Sequence, residues 1–214
     1  MFGSFGRRHV VTGIVGLGAG FLVPSPLRAQ SLVLTPGQTE GPFYPTRLPD
    51  DADSDLVRVR GQAAEALGEI AHISGRVLGR RGQPVAGAEV EIWQCDAQGR
   101  YRHPRAPDQA LFDSGFQGYG RAAVDGSGRY RFRTIRPVAY PGRTPHIHVA
   151  VIAPGLGRFV TQMYVEGEPL NERDGVLRSI RDAAARRSVI VPLAPAPQVE
   201  PAAVAGTFDI VLDV

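Results

Sequence analysis

With 214 residues the chain has room for one domain with a buried core and additional tails. Its 24 basic residues are all arginine and exceed the 21 acidic ones by three, and Arg7, Arg8 and Arg28 account for that excess. Beyond residue 29 the charges balance, which leaves no basic surface suited to nucleic acid or anionic membrane, and the one cysteine, Cys95, allows no internal disulfide.

Arg7-Arg8 precede an apolar, glycine-rich run over residues 10–23, and Leu27-Arg28-Ala29 before Gln30 reads as a cleavage point. This order predicts a twin-arginine-type export signal over residues 1–29. Delivery by the twin-arginine export machinery to the periplasm or the exterior of a bacterium follows from it. The run is short and interrupted by glycine, so stable membrane insertion is not expected, and a retained anchor is the alternative. Residues 30–68 are predicted to form an N-terminal arm. Gly and Pro between residues 35 and 49 discourage regular structure, and Phe43 and Tyr44 would tie the arm down over a pocket.

From residue 69 to 214 the pattern turns to short strands. Residues 70–78, 88–95, 129–135, 146–153, 160–165, 188–191 and 207–214 show alternation or β-branched enrichment. Turn sequences such as Asp125-Gly126-Ser127-Gly128 and Pro154-Gly155-Leu156-Gly157 separate them. Cys95, at a strand end, is expected to be a core thiol. The fold class predicted is all-β, a two-sheet β-sandwich with long loops and at most one short helix, over residues 176–185.

His146-Ile147-His148 carries the chemistry. On a strand of period two both imidazoles point to one face, and Pro145 can start that strand but not sit inside it. Two neutral imidazoles suit iron, copper or zinc. Tyr140 lies just upstream and Tyr101 closes an earlier strand-like segment. A phenol with a pKa near ~10 joins such a set only when a strong Lewis acid holds its proton off, which ferric iron does more readily than zinc.

Three blocks occur in order: Trp93-Gln94 with Gly99 and Tyr101, Tyr140-Pro141-Gly142-Arg143 running to His146 and His148, and Thr161-Gln162-Met163-Tyr164-Val165-Glu166-Gly167. Together they resemble the intradiol ring-cleavage dioxygenases, the protocatechuate and catechol dioxygenase family. The resemblance implies that Tyr101, Tyr140, His146 and His148 are the ligands of a non-haem Fe(3+). It implies that Arg143 stands beside the substrate ring, that Gln162 helps polarise it, and that Tyr140 leaves the metal to take a substrate proton. The arm from Gln38 to Tyr44 looks like a segment that lines the pocket, with Pro42, Tyr44 and Tyr119 as substrate-contacting residues. The implied reaction opens the ring of a catechol-type aromatic with O2 to a muconate-type diacid and needs no organic cofactor.

Only five residues separate Tyr140 from His146, fewer than in the cytoplasmic members, and a helical N-terminal dimerisation segment is missing. This form looks like an exported branch of the family, able to act alone or as a homo-oligomer. Two other readings stay open. The segment from Ile73 to Ile92 is similar to transthyretin-like domains, which would make the chain a non-catalytic binding module of the cell envelope. His146 and His148 could also serve a zinc or copper hydrolase or oxidase, although no nearby carboxylate completes a zinc set.

Overall fold

The computed structural model describes residue 1 and residues 31–214, so the predicted export signal lies outside the described residues. Two five-stranded sheets face each other. In the first, β1 (Ile70–Gly79) is central. It pairs antiparallel with β4 (Arg129–Ile135) along one edge, and parallel with β9 (Val204–Thr207) and β10 (Ile210–Leu212) along the other. The short β8 (Ala194–Pro195) extends this sheet beyond β9. The second sheet has the order β3 (Tyr119–Ala123), β2 (Glu89–Trp93), β5 (His146–Ala153), β6 (Gly157–Val165) and β7 (Ile190–Val191). The all-β sandwich expected from the strand pattern is therefore the fold observed. Among the described residues no helix is long and apolar enough to cross a membrane.

Alternation along each strand decides what fills the core. Ile73 and Val77 from β1, Phe132 from β4, Val90 and Ile92 from β2, and Ile147, Val149 and Val151 from β5 are all buried in one apolar cluster. The residues between them on β2 and β5, namely Glu91, Trp93, His146, His148 and Ala150, therefore point to the outer face of the second sheet. That face is not solvent-exposed. The arm covers it, through Gln38 N–H to the Val160 carbonyl at 2.8 Å and Thr161 Oγ1 to the Pro36 carbonyl at 2.9 Å. A second apolar cluster results, built from Trp93, Cys95, Tyr101, Tyr119 and Ala150, with Phe43, Tyr44 and Tyr140 packed against it. Cys95 is the buried thiol expected, and burial pushes its pKa up to about 12.

Three details differ from the sequence expectation. β3 was not anticipated because Tyr-Gly-Arg-Ala-Ala has no apolar alternation; its partner β2 imposes the strand, from Glu89 opposite Ala123 to Trp93 opposite Tyr119. The single strand expected over 207–214 is two, because the Asp209 carboxylate accepts the Arg76 backbone N–H at 2.8 Å and interrupts the ladder. The one helix expected over 176–185 is also two, α1 (Gly175–Arg178) and α2 (Ala183–Ser188), because Asp174 and Asp182 each cap a separate turn.

Candidate functional site

The register of the second sheet sets a row of four side chains across its outer face. Tyr119 lies opposite Trp93, Trp93 opposite His148, and His148 opposite Gln162. One step along, His146 faces Tyr164. The indole of Trp93 stacks on the His148 ring at 4.9 Å with an interplanar angle of 8° and so sets the plane of that imidazole. No role was expected of Trp93 beyond the core. Its contact depends on a cross-strand register that strand periodicity alone does not reveal.

The two tyrosines arrive on turns. After β2 the chain reverses through Asp96–Gly99, where Asp96 Oδ1 accepts the N–H groups of Gln98 and Arg100 at 2.9 Å each and Oδ2 accepts that of Asp113 at 3.0 Å. Tyr101 follows directly. Tyr140-Pro141-Gly142-Arg143 closes with Arg143 N–H to the Tyr140 carbonyl at 2.9 Å, and Gly142 has φ +82°. Pro second and a left-handed Gly third is the signature of a type II turn. Gly142→Ala puts a Cβ on that left-handed position and is expected to cost about 1 kcal/mol. Urea unfolding measures that loss, and a parallel fall in turnover would show that the turn also holds Tyr140 and Arg143 together.

The four predicted ligands converge. Ring centroids are 5.5 Å apart for Tyr101 and Tyr140, 5.5 Å for Tyr140 and His146, 4.8 Å for His146 and His148, and 6.3 Å for Tyr101 and His148. His146 Nδ1 lies 2.6 Å from the Thr144 carbonyl, which can only accept, so Nδ1 carries the proton and Nε2 presents its lone pair. That lone pair points at His148 Nε2, 3.2 Å away. Both nitrogens are close enough to reach one ion at bond lengths of about 2.1 Å. Tyr101 Oη and His148 Nδ1 are buried without a hydrogen-bond partner. A buried hydroxyl without a partner is costly, and a metal ion satisfies it directly. Among the described residues no group of three or more His, Cys, Asp and Glu is placed to hold a metal. The residues present fit a ferric ion.

Burial sets the protonation states without a metal. It lowers the His146 pKa to about 4, with Arg143 adding to the effect, and lowers His148 well below its ordinary value. It raises Tyr101 well above the usual phenol and raises Tyr140 as well, against the opposing pull of Arg143. The unfolded chain therefore binds protons on these histidines at a pH where the folded chain does not. The stability of the metal-free protein should fall as pH drops from 6.5 towards 4, by roughly 3 kcal/mol for His146 alone. Thermal melts of the metal-free protein across that window test this, and a constant melting temperature would contradict it.

Arg143 stands at the open edge of the cluster. Its Nη2 donates to Gln162 Oε1 at 2.6 Å and its Nη1 approaches Tyr140 Oη at 3.4 Å. Its Nε donates at 2.7 Å to Asp174, a buried carboxylate that sequence reasoning did not single out. Burial alone would raise the Asp174 pKa, but Arg143 and the N–H groups of Leu177 and Thr144 hold it below the usual carboxylate range. Gln162 has little freedom of its own. Its Oε1 also accepts from Tyr164 Oη at 3.0 Å, and its amide N–H donates to the Thr39 carbonyl of the arm at 3.0 Å. It thus braces Arg143 from behind.

The three residues expected to contact substrate divide. The segment around Pro42 does reach the centre: Phe43 stacks on Tyr101 at 4.6 Å, and an added Cβ on Gly41 would stand 3.2 Å from the His148 ring. Tyr44 packs edge-on against Trp93 at 5.0 Å and donates to the buried Glu91 at 3.2 Å, with the Arg158 guanidinium 4.4 Å above its ring. Tyr119 donates to the same Glu91 at 2.9 Å, two strands away from His148. It borders a cavity of about 690 Å³ that Phe43 and Tyr101 also line, but that cavity does not include Arg143, Gln162 or the histidines.

Known proteins are similar to this chain in sequence and in fold. A family model described as Dioxygenase matches residues 39–214. The β chain of protocatechuate 3,4-dioxygenase from Burkholderia cepacia is 41% identical over 145 residues, covering 64% of this chain and 62% of that protein. Hydroxyquinol 1,2-dioxygenase from Corynebacterium glutamicum is 31% identical over 166 residues, covering 69% of this chain and 51% of that protein. The matches thus span between 51% and 62% of these two relatives. Among solved structures, the dioxygenase domain of a dioxygenase and carbohydrate-binding protein fusion from Streptomyces sp. SirexAA-E has a TM-score of 0.66 at 33% identity, covering 85% of this chain and 99% of that one. The chain belongs to the intradiol ring-cleavage dioxygenase family.

Proposed function

We propose that this protein is an exported, non-haem Fe(III)-dependent intradiol dioxygenase that cleaves a catechol-type aromatic with O2 to a muconate-type diacid. The observation that carries the reading is the buried, partnerless Tyr101 hydroxyl in one ring cluster with Tyr140, His146 and His148. Tyr101, Tyr140, His146 and His148 would hold the iron, which supplies the Lewis acidity that ionises the catechol and activates its ring towards O2. Tyr140, half-buried at the open edge, would take up a substrate proton at its Oη. Arg143 presents a permanent cation on the same side and stabilises negative charge that develops on the substrate oxygen. Phe43 covers Tyr101 and Trp93 covers His148, whereas Tyr140 and Arg143 keep part of their surface exposed, so substrate enters past those two. All four candidate ligands come from one chain, so a single copy suffices for a complete site, whether or not it forms a homo-oligomer. The export assignment rests on the Arg7-Arg8 leader pattern, and its test is fractionation of the producing bacterium.

The experiment purifies the full chain, loads it with ferric iron and measures metal content, colour and O2 uptake with catechol, protocatechuate and hydroxyquinol. One iron per chain, a wine-red colour from tyrosinate-to-iron charge transfer and growth of muconate absorbance are expected. Protein that stays colourless and binds no iron would overturn the reading and leave a β-sandwich binding module. Stoichiometric zinc or copper in place of iron would favour a hydrolase or oxidase.

A further inference from the structure

Arg143 sits on a surface loop, and arginine on a loop ordinarily samples many rotamers, with about 2 kcal/mol of side-chain entropy to lose on being ordered. Here two of its three nitrogens are pinned, Nε by Asp174 and Nη2 by Gln162, so that Nη1 is turned towards Tyr140. The carboxylate that does this is unusual for its connections. Asp174 is the N-cap of α1, and its Oδ1 accepts the N–H groups of Val176 and Leu177 at 2.9 Å each. Capping that helix needs only this one oxygen and no charge, so a serine would serve as well. Its other oxygen, Oδ2, takes Arg143 Nε at 2.7 Å and the Thr144 backbone N–H at 3.0 Å. Thr144 in turn offers its carbonyl to His146 Nδ1. One fully buried side chain thus clamps Arg143, the last residue of the Tyr140 turn, and Thr144, which leads into β5 and His146.

We propose that Asp174 is a positioning residue for the reaction. Its Oδ2 directs the Arg143 guanidinium at the substrate oxygen and holds the Thr144 carbonyl against His146. The inference rests on the reading that Arg143 faces substrate, and the position of Asp174 beyond Arg143 keeps it from touching substrate itself.

The test uses the full chain with Asp174→Ser, which retains the helix cap through its hydroxyl but cannot reach Arg143, and with Asp174→Asn as a second variant. Asn has a single acceptor oxygen, which can serve either the helix N–H groups or Arg143 and Thr144, so it cannot satisfy both. In the metal-free protein, hydrogen exchange at the Arg143 Nε–H, followed by NMR, is expected to be slow in the wild type and fast in Asp174→Ser. In the iron-loaded protein with catechol, kcat is expected to fall about ten- to a hundredfold with iron content and colour retained. Placed in an Arg143→Ala background, Asp174→Ser should lower kcat far less than it does alone, because the route through the arginine is already lost and only the Thr144 contact to His146 remains.

Fast Nε–H exchange in the wild type would overturn the proposal, even if neither variant folds. So would a kcat loss in the double variant that multiplies the two single losses. A wild type with slow exchange and no turnover of any catechol would instead sink the functional reading and leave the clamp standing.

Discussion

Tyr101→Phe is expected to abolish iron binding, colour and turnover while making the metal-free protein more stable. The ring is 4% exposed and stacked on Phe43, and phenylalanine keeps that contact. What it removes is a hydroxyl that has no hydrogen-bond partner. Burying an unsatisfied hydroxyl costs about 1–3 kcal/mol, so its removal should raise the stability of the metal-free protein by about 1 kcal/mol or more. A structural tyrosine behaves in the opposite way, because its hydroxyl has a partner to lose. The measurement pairs thermal melts of the metal-free wild type and variant with iron analysis after ferric loading. A variant that still binds one iron and stays red would remove Tyr101 from the metal centre. A variant that loses iron and also melts lower would show that the hydroxyl has a structural partner. A gain in stability with a loss of function is the usual mark of a site held in a costly state for a purpose.

Arg143→Ala is expected to leave iron and colour in place and to lower kcat by about a hundred- to a thousandfold. The side chain approaches Tyr140 Oη but is not itself a ligand, so the tyrosinate-to-iron transition should survive its loss. Removing the arginine leaves Asp174 with backbone donors only, and a buried carboxylate stripped of its counter-charge should destabilise the fold by about 3 kcal/mol. Steady-state kinetics at saturating catechol and urea unfolding read these two effects separately. Unchanged kcat would mean that the guanidinium braces the loop and does not meet substrate.

Much of the architecture is legible in short patterns. β1, β4 and β5 fall at or within one residue of the stretches where alternation and β-branched residues predict them, because one buried face and one other face impose a period of two. β3 does not show, since Tyr119-Gly120-Arg121 carries no such period and its edges are decided by β2 beside it. Gly120 is there for a tertiary reason: an added Cβ would stand 2.4 Å from the Asp53 carbonyl. The candidate ligands are legible too. His146 and His148 share a face by strand geometry, and Tyr101 and Tyr140 each follow or open a turn written in Gly and Pro. Tyr44 and Tyr119, expected at the substrate, both donate to Glu91, and Tyr119 also borders the cavity that Tyr101 lines. Whether a tyrosine on the arm points at the ring cluster or at a carboxylate on β2 depends on how the arm lies, which its sequence does not state.

By itself, the sequence determined the period-two strands, the turn chemistry that presents Tyr140 beside Arg143, and the chemical character of the donor set. The first two follow from residues within about ten positions of one another, and the third from the residue types alone. Only the tertiary structure decided that Trp93 would lie flat on His148, that Gln162 would brace Arg143 from the arm side, and that Asp174 would anchor it from α1. Those contacts join residues 19 to 123 positions apart. Their geometry is set by strand register and by the packing of the arm over the sheet, and neither leaves a periodic trace along the chain.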